Sequence, residues 1–344
     1  MAEYTANYRL KKPERTDYYN VADFNSNSDI IDKYVKQNLD ESKSYTDSKN
    51  TEAVAEATTY TDSKITETKD WAVNTFINPN LLINGDFQVW QRGESFSGGV
   101  LKYTADRWQM GWGTDVDITV EKVDNGIKVS SNVASASPIR QYIENPERLA
   151  GKTLTLSFEI AETTGTVNVY YNAGSSIQLG SVSEVGVHSF TFTCPSSVTK
   201  LCIFLQTPST AISSFVLKWT KLELGSVATP FVPRLYGEEL ALCQRYNFVS
   251  NSSIRIRTAG VNSSEIYFFV PLPNSMRINP TVPATETGKI SVATLSGGTV
   301  SGFAQTAEWL NGNGIFLRYT KTAHGLSDAH LVIDAGAVFD AEIY

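Results

Sequence analysis

The sequence predicts a mainly β protein: an N-terminal anchor and a trimeric helical stalk, then a jelly-roll β-sandwich and a C-terminal β head. Three observations predict this. Residues 37–76 contain neither Gly nor Pro and read as one long helix. From Leu81 onward, short stretches alternate apolar and polar residues with turn residues between them, the period of half-buried strands. With 41% hydrophobic and 19% charged residues, the chain has enough apolar content to build folded cores.

Residues 1–37 are poor in apolar side chains and rich in Tyr, Asn and Asp. Arg9-Leu-Lys-Lys-Pro-Glu-Arg-Thr-Asp17 reads as an extended, charged entry. Asn25-Ser-Asn-Ser-Asp29 then caps a helix carrying Ile30, Ile31, Tyr34 and Val35, with Ser28 or Asp29 as the N-cap whose oxygen accepts an orphan backbone N–H. So short and polar a segment cannot bury a core of its own. It is expected to fold against its own copies or a docking platform, as an attachment segment.

Residues 38–77 are the expected coiled-coil stalk. Tyr-Thr-Asp-Ser-Lys occurs twice, starting at Tyr45 and at Tyr60, fifteen residues apart. Val54, Ile65 and Phe76 recur every eleven residues. Both periods exceed 3.6 residues per turn and suit a straight or gently right-handed bundle. A lone helix with so narrow an apolar stripe is marginal in water, which favours self-association as a thin parallel trimer. The alternative is a charged linker between domains.

Residues 78–234 carry strand signals such as Leu154-Thr-Leu-Ser-Phe-Glu-Ile, Val167-Asn-Val-Tyr-Tyr and Ser214-Phe-Val-Leu-Lys-Trp, at the spacing of a jelly-roll sandwich. Residues 235–248 read as a connecting helix, with Glu238 and Glu239 favouring its N-terminus and Arg245 its C-terminus. Residues 249–344 return to β, ending in a strand from Val338 to Tyr344.

Several function classes are disfavoured. The net charge of −7 lacks the basic balance of a general nucleic-acid binder. No apolar run approaches a membrane span, and the N-terminus lacks the basic and apolar regions of a signal peptide. The product is therefore expected in the cytoplasm, leaving by lysis. Cys194, Cys202 and Cys243 have no metal-ligand spacing and are expected as buried thiols. The three histidines and the many acids form no recognisable catalytic motif, so no enzyme is expected.

Asn80-Leu-Leu-Ile-Asn-Gly-Asp-Phe-Gln-Val-Trp-Gln-Arg-Gly93, followed by Tyr103-Thr-Ala-Asp-Arg-Trp108, resembles the opening of carbohydrate-binding-module-like jelly rolls in bacteriophage tail fibres. Lys221-Leu-Glu-Leu-Gly-Ser-Val-Ala-Thr-Pro-Phe231, through Gly237-Glu-Glu-Leu-Ala-Leu-Cys-Gln-Arg-Tyr246, resembles the close of the same module. Residues 8–37 are similar to the N-terminus of tail proteins in phages and phage-like particles of Gram-positive bacteria. The resemblance implies a homotrimeric receptor-binding protein of a virion or tail particle. It would dock to a baseplate or tail protein through residues 1–37 and meet a host cell-wall polysaccharide or teichoic acid with its β domains. It implies no catalysis and no required cofactor.

The candidate sugar contacts follow from the chemistry of aromatic rings, which stack on sugars while amides read hydroxyls. Trp309 and Arg318-Tyr319 flank the turn signal Asn311-Gly-Asn-Gly314 and are expected near a hairpin tip, with Asn311 and Asn313 as amide partners. The same Trp309 would equally cap a trimer core. Trp90 and Trp112 are further candidates, whereas Trp108 and Trp219 read as core anchors. Asp86 and Glu223 lie at the two sequence ends of the sandwich, where acids in modules of this architecture often hold a structural calcium; exposed or turn-capping acids are the plainer reading. The glycan-binding fibre competes with a non-binding spacer or collar fibre of the baseplate, and less strongly with a glycan depolymerase. The head is the expected receptor site.

Overall fold

The computed structural model describes residues 3–343 apart from residues 15, 17, 19, 76–77, 113–116, 125, 282–288 and 311–313. It divides into two compact units, Met1–Thr75 and Phe76–Tyr344.

The first unit is a two-stranded hairpin and one helix. Strands β1 (Glu3–Tyr4) and β2 (Lys11–Lys12) pair antiparallel. Helix α1 runs unbroken from Val21 to Thr75, 55 residues, across the expected boundary between anchor and stalk. Its start corrects the expected cap. Ser28 and Asp29 lie inside the helix, and the Asn20 side chain accepts the N–H of Ala22 instead. The polar cluster that mimics a cap has another task. Asn27 bonds the Lys11 backbone through both ends of its amide, at 2.8 and 2.9 Å, while Lys11 pairs with Asp23 and Tyr8 packs on Tyr34. The charged entry is therefore a hairpin pinned to the first turns of α1.

From Val35 to Lys69 every residue of α1 is exposed. The sequence repeat becomes a structural repeat there. Lys49 pairs with Glu52 and covers Tyr45; Lys64 pairs with Glu67 and covers Tyr60, each pair at 2.6 Å. Val54 and Ile65 remain 66% and 46% exposed, so the described residues of this unit leave those two stripe positions uncovered. Phe76, its third member, lies outside the described residues.

The second unit begins with a sandwich of two six-stranded antiparallel sheets. One sheet holds β3 (Ser95–Ser97), β6 (Ile118–Val123), β7 (Gly126–Ser131), β9 (Thr153–Thr163), β12 (Gly186–Thr193) and β14 (Ser214–Leu224), in the order β12-β9-β14-β7-β6-β3. The other holds β4 (Lys102–Tyr103), β5 (Gln109–Met110), β8 (Pro138–Tyr142), β10 (Val167–Asn172), β11 (Ser176–Val182) and β13 (Cys202–Gln206), in the order β11-β10-β13-β8-β5-β4. Alternation fills the space between them. Leu154, Leu156, Phe158 and Ile160 of β9 meet Val167, Val169, Ile203 and Leu205 in one apolar core. This is the jelly-roll-like architecture expected from the strand pattern.

Helix α2 (Tyr236–Gln244) leads into the C-terminal strands. There β15 (Asn247–Val249) pairs with β23 (Val338–Asp340). A three-stranded sheet orders β16 (Ile254–Arg257), β22 (His330–Ile333) and β19 (Ile290–Ala293). A four-stranded sheet orders β17 (Gly260–Val261), β18 (Glu265–Pro271), β21 (Gly314–Thr320) and β20 (Ala304–Leu310). Ile266, Phe268, Leu317, Leu331 and Phe339 form a second core. The described terminal strand stops at Asp340, and Tyr344 lies outside the described residues.

The two recognisable motifs meet in a buried polar hub between the sandwich, α2 and the chain's end. Asn84 sits at positive φ, its amide bonding Val89 and the Asp106 carbonyl, while Glu239 of α2 accepts its backbone N–H. Gly85 is required beside it, because a Cβ there would lie 2.6 Å from the Thr220 carbonyl oxygen. Glu342 pairs with both Arg92 and Arg107, and Arg107 lies 3.7 Å from the Tyr246 ring centre. The Asn-Gly-Asp-Phe and Ala-Asp-Arg-Trp motifs are thus explained by folding. Trp108 is a fully buried core anchor, as expected. Trp219 is not; it faces away from the core and stacks on Phe231 at 4.9 Å.

Candidate functional site

Strand pairing assembles a row of side chains on the outer face of the β11-β10-β13-β8-β5-β4 sheet. Tyr170 stands opposite Gln178 on one side and Phe204 on the other; Phe204 stands opposite Arg140, and Arg140 opposite Gln109. The face is set by the core. Val169, Tyr171, Ile203, Leu205 and Ile139 point inward, so Tyr170, Phe204 and Arg140 must point outward. A second row, Asn172, Cys202 and Tyr142, runs beside the first.

The rings on this face pack on one another. Tyr170 stacks on Phe204 at 4.8 Å with planes 2° apart, and Trp112 meets Phe204 edge-on at 5.1 Å. Phe204 is only 1% exposed, though it faces away from the core, so it forms a floor for half-buried Tyr170, Trp112 and Tyr142. Arg140 lies over Trp112 at 4.7 Å and Lys200 over Tyr142 at 4.6 Å. Cys202 is buried there; desolvation pushes its thiol up to about 11, which keeps it protonated and unreactive at neutral pH.

Amides ring the platform. Gln178 donates to Asn168 and Ser181, and Asn172 to Ser176. On the strands of this sheet two amide atoms are buried without partners among the described residues: Gln109 Nε2 and Gln206 Oε1. Flat rings beside unspent amide groups are the chemistry that holds a sugar: ring faces for its C–H surface and directional groups for its hydroxyls.

Of the predicted contacts among the described residues, only Trp112 belongs to this face. Trp90 packs against the sandwich core, stacks on Phe96 and donates its indole N–H to the Phe87 carbonyl. Its other surroundings form a cleft of about 480 Å³ with Tyr236, Gln244, Phe248 and Asn251. Trp309 lies on edge strand β20, 38% exposed, stacked on Phe316 at 5.3 Å. Arg318 faces outward beside Glu265, 3.6 Å away. Tyr319 is corrected. It points into the head core, 7% exposed, edge-on to Phe268, because its neighbour Arg318 takes the outer face. Asn311 and Asn313 lie outside the described residues.

Both calcium candidates have protein partners. Glu223 is fully buried, paired with Lys221 at 3.2 Å and accepting from the Thr229 N–H and hydroxyl. A protein cation already neutralises it, and Asp86 bonds the Gln88 amide. Among the described residues, no cluster of three or more His, Cys, Asp or Glu side chains could hold a metal.

No family model and no curated protein matches the chain. Several solved structures match parts of the chain at low similarity. The CBM22-1 xylan-binding domain from Paenibacillus barcinonensis Xyn10C is 11% identical, with a TM-score of 0.29, over 44% of this chain and 97% of that one. A CBM4 structure is 18% identical with a TM-score of 0.28, over 41% and 98%. The enzymatically active domain of bacteriophage CBA120 tailspike protein 4 is 14% identical with a TM-score of 0.26, over 42% and 21%. Likeness this slight transfers no function, and the case for one rests on the chain's own residues.

Proposed function

We propose that this protein binds a polysaccharide on the outer face of its second sandwich sheet, as the adhesive part of a trimeric phage or tail-particle fibre. The observation that carries this reading is the Tyr170–Phe204–Arg140–Gln109 row, with Trp112 and Tyr142 beside it and unpartnered amide atoms on its strands. In this reading the exposed helix α1 trimerises, and the hairpin pinned to its first turns docks to a baseplate or tail protein. Three platforms on one particle give avidity to contacts that are individually weak. The ligand is a host cell-wall glycan, and nothing in the reading calls for bond cleavage or a metal.

The test is binding of the full chain to purified wall glycan by calorimetry. Tyr170→Ala and Trp112→Ala are each expected to weaken binding about tenfold, the loss of one ring contact. Trp309→Ala in the head should leave it unchanged. Loss of binding in Trp309→Ala, with Tyr170→Ala and Trp112→Ala normal, would move the site to the head.

A further inference from the structure

We infer that the ligand of this face is an acidic polymer, whose carboxylate or phosphate group seats against Arg140 and Gln109. The inference rests on the glycan reading and narrows it to a chemical class.

Arg140 is 5% exposed, and a guanidinium this buried is costly unless it is paired. Its Nε donates to Gln109 Oε1 at 2.9 Å and its Nη2 to the Gly111 carbonyl at 2.8 Å. Those two bonds fix the plane of the fork. Among the described residues, the remaining nitrogen, Nη1, has no hydrogen-bond acceptor and no carboxylate pairs with Arg140. Gln109, 1% exposed, accepts from Arg140 Nε through its oxygen and leaves its Nε2 unpartnered. An unpartnered amide nitrogen and a buried positive charge therefore stand on neighbouring strands at one end of the aromatic floor.

Among the described residues, no acid side chain pairs with that charge. Trp112 and Tyr142 flank Arg140 at 4.7 and 5.8 Å and offer only their ring faces. Lys200 places a second cation over Tyr142. Glu144, two residues past the end of β8, accepts from Arg245 and Tyr246. A neutral sugar would satisfy the donors but leave the cation unpaired. An oxyanion does both, since a guanidinium edge matches a carboxylate or phosphate.

The full chain is titrated with three polymers: poly(glycerol phosphate), polygalacturonate and a neutral glucan. One acidic polymer should bind at least tenfold tighter than the glucan, and the preference should shrink as NaCl rises from about 20 to about 200 mM. Which acidic polymer wins identifies phosphate or carboxylate as the group. Arg140→Gln should abolish the preference without abolishing the residual sugar contact. Lys200→Gln, at an exposed position, should reduce it even if the Arg140 variant does not fold. Equal binding of all three polymers, or glucan binding alone, overturns the acidic ligand while sparing the glycan reading. Failure to bind any of the three, or wall glycan itself, overturns both.

Discussion

Glu342 is the side chain on which the junction between sandwich and head most depends. Its carboxylate is wholly buried and is shared by Arg92, at 3.2 Å, and Arg107. Arg107 is itself 1% exposed, with Nε unpartnered; what else holds it is the Tyr142 carbonyl at 2.8 Å and the ring of Tyr246. Glu342→Gln keeps the volume and removes the charge, leaving a buried guanidinium uncompensated. Breaking a buried pair from one side costs roughly 3–5 kcal/mol. For a β unit of this size that lowers the melting temperature by about 10 °C. Differential scanning calorimetry of the full chain at neutral pH reads it directly. A second variant isolates the cause. Arg107→Met with Glu342→Leu removes both charges and should recover most of the loss, because a buried pair can be replaced by apolar groups at little cost. A shift below about 2 °C in Glu342→Gln, or a double variant less stable than the single one, would refute the argument that an unpaired buried charge is the penalty.

The sequence made some of this legible and hid the rest for physical reasons. Period-2 alternation located strands such as β9 and β14 because each buries one face. The long helix was legible from its lack of Gly and Pro, but its start was not. Asn25-Ser-Asn-Ser-Asp29 has capping chemistry, yet Asn27 spends its amide on the hairpin sixteen residues earlier, a contact no local pattern reveals. In Gly314-Ile-Phe-Leu-Arg-Tyr319 apolar residues occupy both parities, so the sequence does not say which face is buried. Pairing with β18 and the packing of Ile315, Leu317 and Tyr319 decide it, and Tyr319 goes inside. The platform was hidden more deeply. Gln109, Arg140, Tyr170 and Phe204 come from four strands that are not adjacent in sequence, and only the sheet order makes them neighbours. The alternation in Val167-Asn-Val-Tyr-Tyr separates Tyr170 from Tyr171, but nothing local says that the Tyr170 side is open.

Two further predictions concern the hub and the helix. Burial raises Asp106 to about 6 despite the nearby Arg92 guanidinium, with the Glu342 carboxylate adding to the rise. Its folded value thus exceeds the unfolded 3.8, so its stabilising proton is fully present below about 4 and lost as pH rises through about 6, on the order of 3 kcal/mol. Thermal melts from pH about 4 to 7 should show that decline in the native protein and not in Asp106→Asn; an identical slope in the variant excludes Asp106 as its source. α1 has 55 residues, and Val35 to Lys69 are all exposed, so the described residues of its own unit bury none of that stretch. The stripe is thin, with Val54 and Ile65 one eleven-residue step apart, and each copy in a parallel trimer would place these side chains at the axis. Ile65→Glu would then set three like charges against one another there. Sedimentation at micromolar concentration should show a trimer for the native chain and a monomer for Ile65→Glu, with the β unit's melting transition unchanged. A native monomer, or an Ile65→Glu trimer, means that the exposed stripe does not drive association.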